Sequence, residues 1–379
     1  MERGQIVGDV EAMVSAPVHS PVSGEVKSVL KQRLANGAFS AAVEIVPDEE
    51  QDTNSFVPVP HSDDPVAMVR AAGVVGLGGA AFPSHVKLMP PKDMPVDTVI
   101  LNGCECEPYL TCDDRQMVEY SDRVVSGALH IRDIVGATRV VIGVEDNKPN
   151  AIAALKKAAG SDVEVVSLST SYPQGAEKQL IFSLLGKEVP HGKLPAATGA
   201  LVHNVGTAIA IARAIEDRMP LMERVITVTG AVQRPGNFKV MLGTSFDDVL
   251  GLSGGLASGV SRVIAGGPMT GQGVTDMSCP VIKGTSGLVA IPDDAVAPAV
   301  HGDQPCIRCG RCAQACPMML EPYALGIYAN RKDWDHAQEY HALDCIECGC
   351  CNFICPTHRP LTQLIRVAKG ALLVKGAKL

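Results

Sequence analysis

Eight of the 13 cysteines in this chain of 379 residues fall into two copies of one spacing. Each copy has three cysteines with two residues between neighbours, a fourth after three more residues, and then a proline. The eight are Cys306, Cys309, Cys312, Cys316, Cys345, Cys348, Cys351 and Cys355. Three thiolates at two-residue gaps let a short loop cover one face of a cubic cluster. The spacing therefore predicts two [4Fe–4S] clusters.

The fourth cysteine of each run is expected to serve the other cluster, because two-cluster ferredoxins cross their ligands in this way. One cluster would take Cys306, Cys309, Cys312 and Cys355, and the other would take Cys345, Cys348, Cys351 and Cys316. A pair of zinc sites is the alternative. Zinc generally uses two separated pairs of ligands, so the spacing favours iron–sulfur clusters.

The remaining five cysteines fit no standard metal spacing and are expected to be reduced thiols. They are Cys104, Cys106, Cys112, Cys279 and Cys350. Cys350 adjoins a predicted ligand and could compete for iron, but a spare thiol is the favoured interpretation. We do not expect a disulfide scaffold, because such scaffolds are short secreted chains and residues 1–10 do not resemble a signal peptide.

The composition argues against two further classes of function. The net charge of −8 disfavours nucleic acid as a partner, because phosphate binding needs an excess of Lys and Arg. No apolar run reaches the length of about 18 residues that a membrane-spanning helix needs. The nearest run, 199–215, is interrupted by His203, Asn204 and Arg213. We therefore expect no membrane-spanning helix.

A glycine-rich loop is the second chemical feature of the sequence. Gly76, Gly78 and Gly79 fall within four residues, and Lys87 follows shortly afterwards. Such a loop lets backbone N–H groups approach a phosphate closely, and Lys87 could add a positive charge. A plain tight turn is the alternative, because the loop matches neither standard glycine-rich phosphate motif.

A third feature combines Asn102, Glu105 and Glu107 just after a candidate strand at 98–101. Ligands of open α/β sheets bind outside the carboxyl ends of strands. Asn102 offers a donor and an acceptor to a polar ring edge, and the two glutamates could hold ribose hydroxyls. An exposed acidic loop is the alternative, but the combination favours a site.

The elements that must position these residues follow from the pattern of apolar runs. Short runs broken by turns predict a small β module before residue 47. This module resembles the barrel-sandwich fold of biotinyl and lipoyl carriers, without their exposed lysine. An acidic, proline-rich linker follows at 48–64.

Strands then alternate with helices, which predicts an open α/β sheet. The strand candidates are 98–101, 140–144 and 163–168, and the helix candidates are 65–71, 116–134, 150–159, 176–185 and 207–215. A second β section with one helix at 246–250 covers 225–291. The spacer at 317–344 and the tail at 361–379 predict helices. The tail is basic and could meet an acidic partner or a lipid surface, although a solvated helix face is favoured.

Residues 76–87 are similar to the flavin loop of the NADH-oxidising subunit of respiratory complex I. Residues 102–108, 175–180 and 203–205 are similar to three further segments of that subunit. The order of modules resembles the C subunits of Rnf ion-translocating electron transport complexes. The resemblance implies a multidomain α/β chain with a truncated barrel-sandwich module and linker (1–58), a Rossmann-like FMN/NADH domain (59–220), a β-grasp SLBB domain (221–297) and a helical dicluster ferredoxin domain (298–379).

The resemblance also implies roles for individual residues. Those expected at the FMN phosphate or the adjacent ring are Gly76, Gly78, Gly79 and Lys87. Asn102 and Asn204 would hold opposite sides of the flavin. Those expected to face NADH or the flavin edge are Phe82, Glu105, Glu107 and Glu177. Cys104 and His203 depart from the complex I protein, which has Asp and Asn at these positions.

The implied activity is ferredoxin:NAD⁺ oxidoreduction, coupled by other subunits to Na⁺ or H⁺ transport. The implied cofactors are FMN, NAD(H) and two [4Fe–4S] clusters. The implied partners are the membrane and ferredoxin-type subunits of the Rnf complex, with ferredoxin reached through a partner subunit. The expected location is peripheral, on the cytoplasmic face of the bacterial inner membrane. Two alternatives stay open: a soluble cobalamin reductase of microcompartments, and a non-catalytic electron-relay subunit.

Overall fold

The computed structural model describes residues 1–292 and 305–376. The N-terminal module contains two antiparallel strand pairs. One pair is β1 (Ile6–Gly8) with β2 (Val18–His19), and the other is β3 (Gly24–Arg33) with β4 (Phe39–Pro47). The predicted small β module is thus present. The side chain of Arg3 is buried and donates to the carbonyl of Thr53 at 2.8 Å, which ties the linker back onto this module.

The next module is built on a four-stranded parallel sheet. Its strands are β5 (Thr98–Gly103), β6 (Arg139–Glu145), β7 (Glu164–Leu168) and β8 (Ala200–Asn204), in the order β7-β6-β5-β8. Nearly all residues of β5, β6 and β8 are buried, as expected for parallel strands covered on both faces. No strand was predicted at β8, because its short apolar run leads into the following helix with no turn residues between the two elements.

Seven helices accompany this sheet. They are α1 (Pro65–Ala71), α2 (Ser84–Lys87), α3 (Cys112–Glu119), α4 (Ser121–Val135), α5 (Pro149–Ala159), α6 (Glu177–Leu185) and α7 (Val205–Glu216). Helices α4 and α7 cross very closely at Gly127, where an added methyl group would lie 2.0 Å from the carbonyl oxygen of Ala208.

The prediction of one helix over 116–134 was wrong, because two helices meet at Tyr120. The backbone of Tyr120 leaves the helical region at φ −126° and ψ 31°. Its ring lies 5.4 Å from the guanidinium carbon of Arg213 on α7. This tertiary contact accompanies the bend. The sequence next to Tyr120 contains no proline or glycine that would signal the bend.

The third module is a five-stranded mixed sheet with one helix. Its elements are β9 (Glu223–Gly230), β10 (Gly236–Met241), α8 (Phe246–Leu252), β11 (Val260–Ala265), β12 (Gln272–Val274) and β13 (Gly287–Pro292). Strand β13 pairs with β9 in parallel, and the other pairs are antiparallel. Ser245 caps α8, and Phe246, the first residue of this helix, is fully buried. A mixed sheet with one packed helix agrees with the predicted β-grasp fold.

The C-terminal module is helical over residues 305–376. Its helices are α9 (Arg311–Gln314), α10 (Pro322–Arg331), α11 (Trp334–Glu339), α12 (Cys350–Ile354) and α13 (Leu361–Val374). The predicted boundary at 297/298 and the tail residue Lys378 lie outside the described residues. No helix of the described chain is both long and apolar enough to cross a membrane.

Three basic residues in α13 or directly after it are engaged within the molecule. Arg366 and Lys369 both pair with Glu347, at 2.7 and 2.8 Å, and Lys375 lies 3.7 Å from Asp335. These three basic residues therefore attach the end of the chain's described part to its own module.

Candidate flavin site and iron–sulfur centres

The eight motif cysteines converge on two cavities of the C-terminal module. One cavity is lined by Cys306, Cys309, Cys312 and Cys355. The other is lined by Cys316, Cys345, Cys348 and Cys351, with Cys350 beside them. The fold thus brings together the two sets of four that crossed ligation requires. We call them the Cys306 cavity and the Cys345 cavity.

The two cysteine runs share an unusual backbone conformation. Arg308 and Glu347, which stand at equivalent positions, both have φ of 56°. Gly310 and Gly349 also match, at 77° and 81°, and α9 and α12 begin directly after them. Positive φ is uncommon for residues other than glycine. Its repetition indicates a loop shape that turns three thiols toward one point.

The chemistry of the Cys345 cavity fits an iron–sulfur cluster. Burial raises the pKa of Cys345 to about 11, and the nearby thiols of Cys316 and Cys348 add to the rise. Burial also raises the pKa of Cys348 to about 12 and that of Cys351 to about 11. Four thiolates lining one cavity would repel one another, so this donor set needs a cation, and thiolates are the ligands of iron–sulfur clusters.

The glycine-rich loop lies over the N-terminus of α7. The backbone N–H of Leu77 donates to the hydroxyl of Thr207 at 2.8 Å. A methyl group added at Gly78 would lie 3.4 Å from the Cβ of Asn204. Gly79 has φ of +109° and open space beside its Cα. Because the N-terminus of α7, which is the positive end of its dipole, lies beside the loop, this arrangement fits the phosphate of FMN.

The two predicted asparagines lie side by side at the carboxyl edge of the sheet. Asn102 at the end of β5 is the register partner of Asn204 at the end of β8. The amide of Asn102 donates to the carbonyl of Gly175 at 2.7 Å, and its oxygen accepts from the N–H of Cys104 at 3.1 Å. Three separate segments of the predicted flavin site therefore meet here.

Lys87, Glu177 and His203 form a neighbouring group. The ammonium of Lys87 lies 2.7 Å from a carboxylate oxygen of Glu177. His203 is buried, and burial together with the charge of Lys87 holds its pKa well below its usual range. Its Nε2 atom has no hydrogen-bond partner among the described residues. Buried polar atoms normally have partners, so this atom fits a bound group at the site.

Glu105 and Glu107 hold protein groups in this structure. The carboxylate of Glu105 accepts from the N–H groups of Asp113 and Asp114, at 2.7 and 3.0 Å, at the start of α3. Burial, with the charge of Asp113, raises the pKa of Glu105 to about 8. Glu107 accepts from the N–H of Thr270 in the β-grasp module at 2.7 Å. The nucleotide-facing role of these glutamates therefore stays a prediction. Phe82, which was also expected to face NADH or the flavin edge, lies half-exposed on the glycine-rich loop.

A cavity of about 550 Å³ lies between the acidic loop and residues 170–172, and both Glu105 and Glu107 line it. Lys148, which had no role predicted from the sequence, lies at its wall. The buried ammonium of Lys148 donates to the carbonyl of Cys104 and pairs with Glu145, both at 3.0 Å. It fixes the loop at the position where Cys104 replaces the expected Asp.

Two further contacts, which the sequence did not indicate, join the flavin-type module to the Cys345 cavity. The hydroxyl of Tyr172 donates to the carbonyl of Cys348 at 2.6 Å. The amide of Gln179 on α6 donates to the carbonyl of Pro317 at 3.1 Å. These residues belong to the segment that precedes and begins α6, so their partners depend on module packing.

A phosphate-type loop on an α/β sheet, joined to two four-thiol cavities, defines a flavin and iron–sulfur electron-transfer protein. Family models match the chain as the RnfC barrel sandwich hybrid domain at 1–50, the Nuo51 FMN-binding domain at 69–213, the SLBB domain at 225–273 and the 4Fe-4S dicluster domain at 298–357. The chain belongs to the family of C subunits of ion-translocating ferredoxin:NAD⁺ oxidoreductase (Rnf) complexes. The predicted family, fold class, FMN and two [4Fe–4S] clusters are thereby confirmed.

Two named relatives support the assignment to this family. The C subunit of the proton-translocating ferredoxin:NAD(+) oxidoreductase complex of Clostridium ljungdahlii is 43% identical, over 98% of this chain and 82% of the relative. The Na(+)-translocating counterpart of Acetobacterium woodii is 45% identical, over 99% and 86%. A crystal structure of NAD⁺-reducing [NiFe]-hydrogenase matches with a TM-score of 0.55 and 20% identity, over 82% of this chain and 62% of that one. This last likeness concerns the fold alone.

Proposed function

We propose that this chain is the NAD(H)-interacting subunit of an ion-translocating ferredoxin:NAD⁺ oxidoreductase complex. The observation that carries the proposal is the junction of a flavin-type loop with two four-thiol cavities in one chain. Bound FMN supplies two-electron exchange with NADH and one-electron exchange with iron–sulfur clusters. The names of the relatives favour this function over a cobalamin reductase or a non-catalytic relay.

The glycine-rich loop and the start of α7 hold the FMN phosphate in this proposal. Gly78 lets the loop approach Asn204, and Gly79 adopts a backbone conformation that other residues rarely reach. Lys87 contributes a positive charge beside the site. Its ammonium donates to a carboxylate oxygen of Glu177 at 2.7 Å, and this bond orients the Lys87 side chain. Asn102 and Asn204 hold the flavin from two neighbouring strand ends.

The cavity beside Glu105 and Glu107 takes NAD(H). Its volume of about 550 Å³ lies within the usual range of about 300–1,000 Å³ for small-molecule sites. Lys148 holds one wall through the carbonyl of Cys104. The residues that line this cavity therefore orient the nucleotide. Hydride transfer between NAD(H) and FMN needs no general acid or base.

The two clusters act in a fixed order. Tyr172 and Gln179 attach the flavin-type module to the loops of the Cys345 cavity, so the cluster of that cavity exchanges electrons with the flavin. Among the described residues, the two hydrogen bonds from Tyr172 and Gln179 reach the loops of the Cys345 cavity and not those of the Cys306 cavity. Cys309 of the Cys306 cavity is exposed. The cluster held by the Cys306 cavity therefore passes electrons to a partner subunit.

The partners are the other subunits of an Rnf complex, including ferredoxin-type and membrane subunits. We infer that the chain docks on the cytoplasmic face of the membrane through those subunits. The names of the relatives as subunits of ion-translocating complexes support this arrangement.

An anaerobic count of iron, sulfide and flavin, followed by bleaching of the flavin spectrum with NADH, tests the proposed function. We expect eight iron atoms and one FMN per chain, from two four-iron clusters. Gly78→Val should release FMN without changing the iron content. Gly251→Val on α8 is the matched control, because open space surrounds Gly251. Retention of FMN by Gly78→Val would contradict the loop assignment, and an unbleached wild-type flavin would contradict the activity.

A further inference from the structure

Two histidines and an aspartate from different modules form a cluster outside the sites described above. His191 follows α6, whereas His341 precedes a short 3₁₀ turn and Asp344 ends it, just before Cys345. Nδ1 of His191 lies 2.6 Å from Oδ2 of Asp344, and Nδ1 of His341 lies 3.9 Å from the same oxygen. One ligand atom from each of the three side chains can be chosen so that all lie within 4.8 Å of one another.

This donor set has the composition of a zinc site with an open position. Zinc is bound by histidine nitrogen and carboxylate oxygen at about 2.0–2.2 Å, so tetrahedral ligands lie roughly 3.3 Å apart. The observed separations bracket that value. The histidine side chains are 60% and 64% exposed, so small rotations can adjust them. Lys178 lies 3.9 Å from the other oxygen, Oδ1, which leaves Oδ2 for an ion.

We propose that His191, His341 and Asp344 bind one divalent transition metal ion of the zinc type. The ion would connect the segment after α6 of the flavin-type module to the turn that leads into Cys345. It would therefore clamp the two modules together beside the cluster nearest the flavin. Water or a solvent anion would complete the coordination on the exposed side.

The chain contains a matched control for this proposal. His336 and Asp333 form another exposed pair, with Nδ1 and Oδ2 2.7 Å apart, and no second histidine ligand joins them among the described residues. If a histidine–aspartate pair alone bound zinc, the His191–Asp344 pair and the His336–Asp333 pair would thus bind it equally well. Only the proposed site gains from a second imidazole.

The test uses the full chain with its flavin and clusters loaded. Equilibrium dialysis against Zn²⁺ at pH 7.5 is followed by metal counting and by X-ray absorption at the zinc edge. We expect one zinc per chain with nitrogen and oxygen ligands, and at least tenfold weaker binding in His191→Ala and in His341→Ala. His336→Ala should bind as the wild type does. Zinc should also raise the melting temperature of the wild type but not that of His191→Ala.

Three results would overturn the proposal. The first is wild-type binding no tighter than that of the His191→Ala variant. The second is a sulfur shell around the zinc, which would place the ion on free cysteines. The third is equal weakening in His336→Ala, which would reduce the site to an ordinary surface ion pair.

Discussion

Replacing Asn204 separates the architecture of the flavin site from its chemistry, because this side chain has two functions within the protein. Its Oδ1 caps α7 by accepting from the N–H groups of Gly206 and Thr207, at 2.8 and 3.4 Å. Its Nδ2 donates to Asp113 at 2.6 Å. Burial raises the pKa of Asp113, and the bond from Asn204 opposes that rise. Losing the amide therefore removes a cap and leaves a buried carboxyl group with one partner fewer.

The magnitude follows from these two bonds. Loss of an N-cap costs about 1 kcal/mol, and loss of a hydrogen bond to a charged group costs about 1.5–3 kcal/mol. Asn204→Ala should thus lower the opening free energy of α7 by about 2.5–4 kcal/mol. Asn204→Ser should cost only about 1.5–3 kcal/mol, because serine is itself a good N-cap.

Hydrogen exchange of peptides that cover residues 205–216 measures this opening free energy in the apoprotein, and flavin fluorescence measures FMN affinity. Both variants should bind FMN more weakly, and Asn204→Ala should be the weaker. Ser245→Ala is the control, because Ser245 caps α8 by accepting from the N–H of Asp248 at 3.1 Å, away from the flavin site. Equal exchange in the two Asn204 variants would refute the capping argument. Unchanged FMN affinity in both would remove Asn204 from the flavin site.

Three further predictions concern the clusters and the acidic loop. Cys316→Ser should damage the cluster of the Cys345 cavity in electron paramagnetic resonance spectra; damage to the other cluster alone would reject crossed ligation. Lys369→Met should lower the reduction potential of the same cluster in a redox titration, because the Lys369 ammonium lies 2.8 Å from the Cys345 carbonyl oxygen; Lys375→Met is the control and should leave it unchanged. The folded-state pKa of Glu105 is raised from 4.5 to about 8, so its protonated form stabilises the fold and stability should fall as pH rises toward 8. Urea unfolding between pH 6 and 8 should show a flatter dependence in Glu105→Gln, and an unchanged slope would contradict the assigned pKa.

Much of the candidate site was predictable because its signals are local. The cysteine spacing specifies a loop that wraps one face of a cluster, whatever surrounds that loop. The glycines at 76–79 and Asn102 after its candidate strand likewise express backbone and hydrogen-bonding needs that short segments carry, whereas the role of Asn204 came only from the resemblance to the complex I subunit. The alternation of strands and helices was also readable, since burial on a parallel sheet leaves apolar runs.

Other features depended on packing between distant segments. Strand β8 is followed directly by α7 with no turn residues between them. The bend at Tyr120 lies against Arg213, which is far away in the sequence. Glu105 and Glu107 looked like free ligands for ribose, but backbone N–H groups of α3 and of the β-grasp module occupy their carboxylates.

The sequence by itself thus determined which cofactors the chain can hold, because ligand type and spacing are fixed within short segments. Only the tertiary structure decided which cluster faces the flavin-type module through Tyr172, and which carboxylates are already engaged. The physical reason is that these contacts join residues up to 176 positions apart. Such pairs are formed by the packing of whole modules, and no local pattern records them.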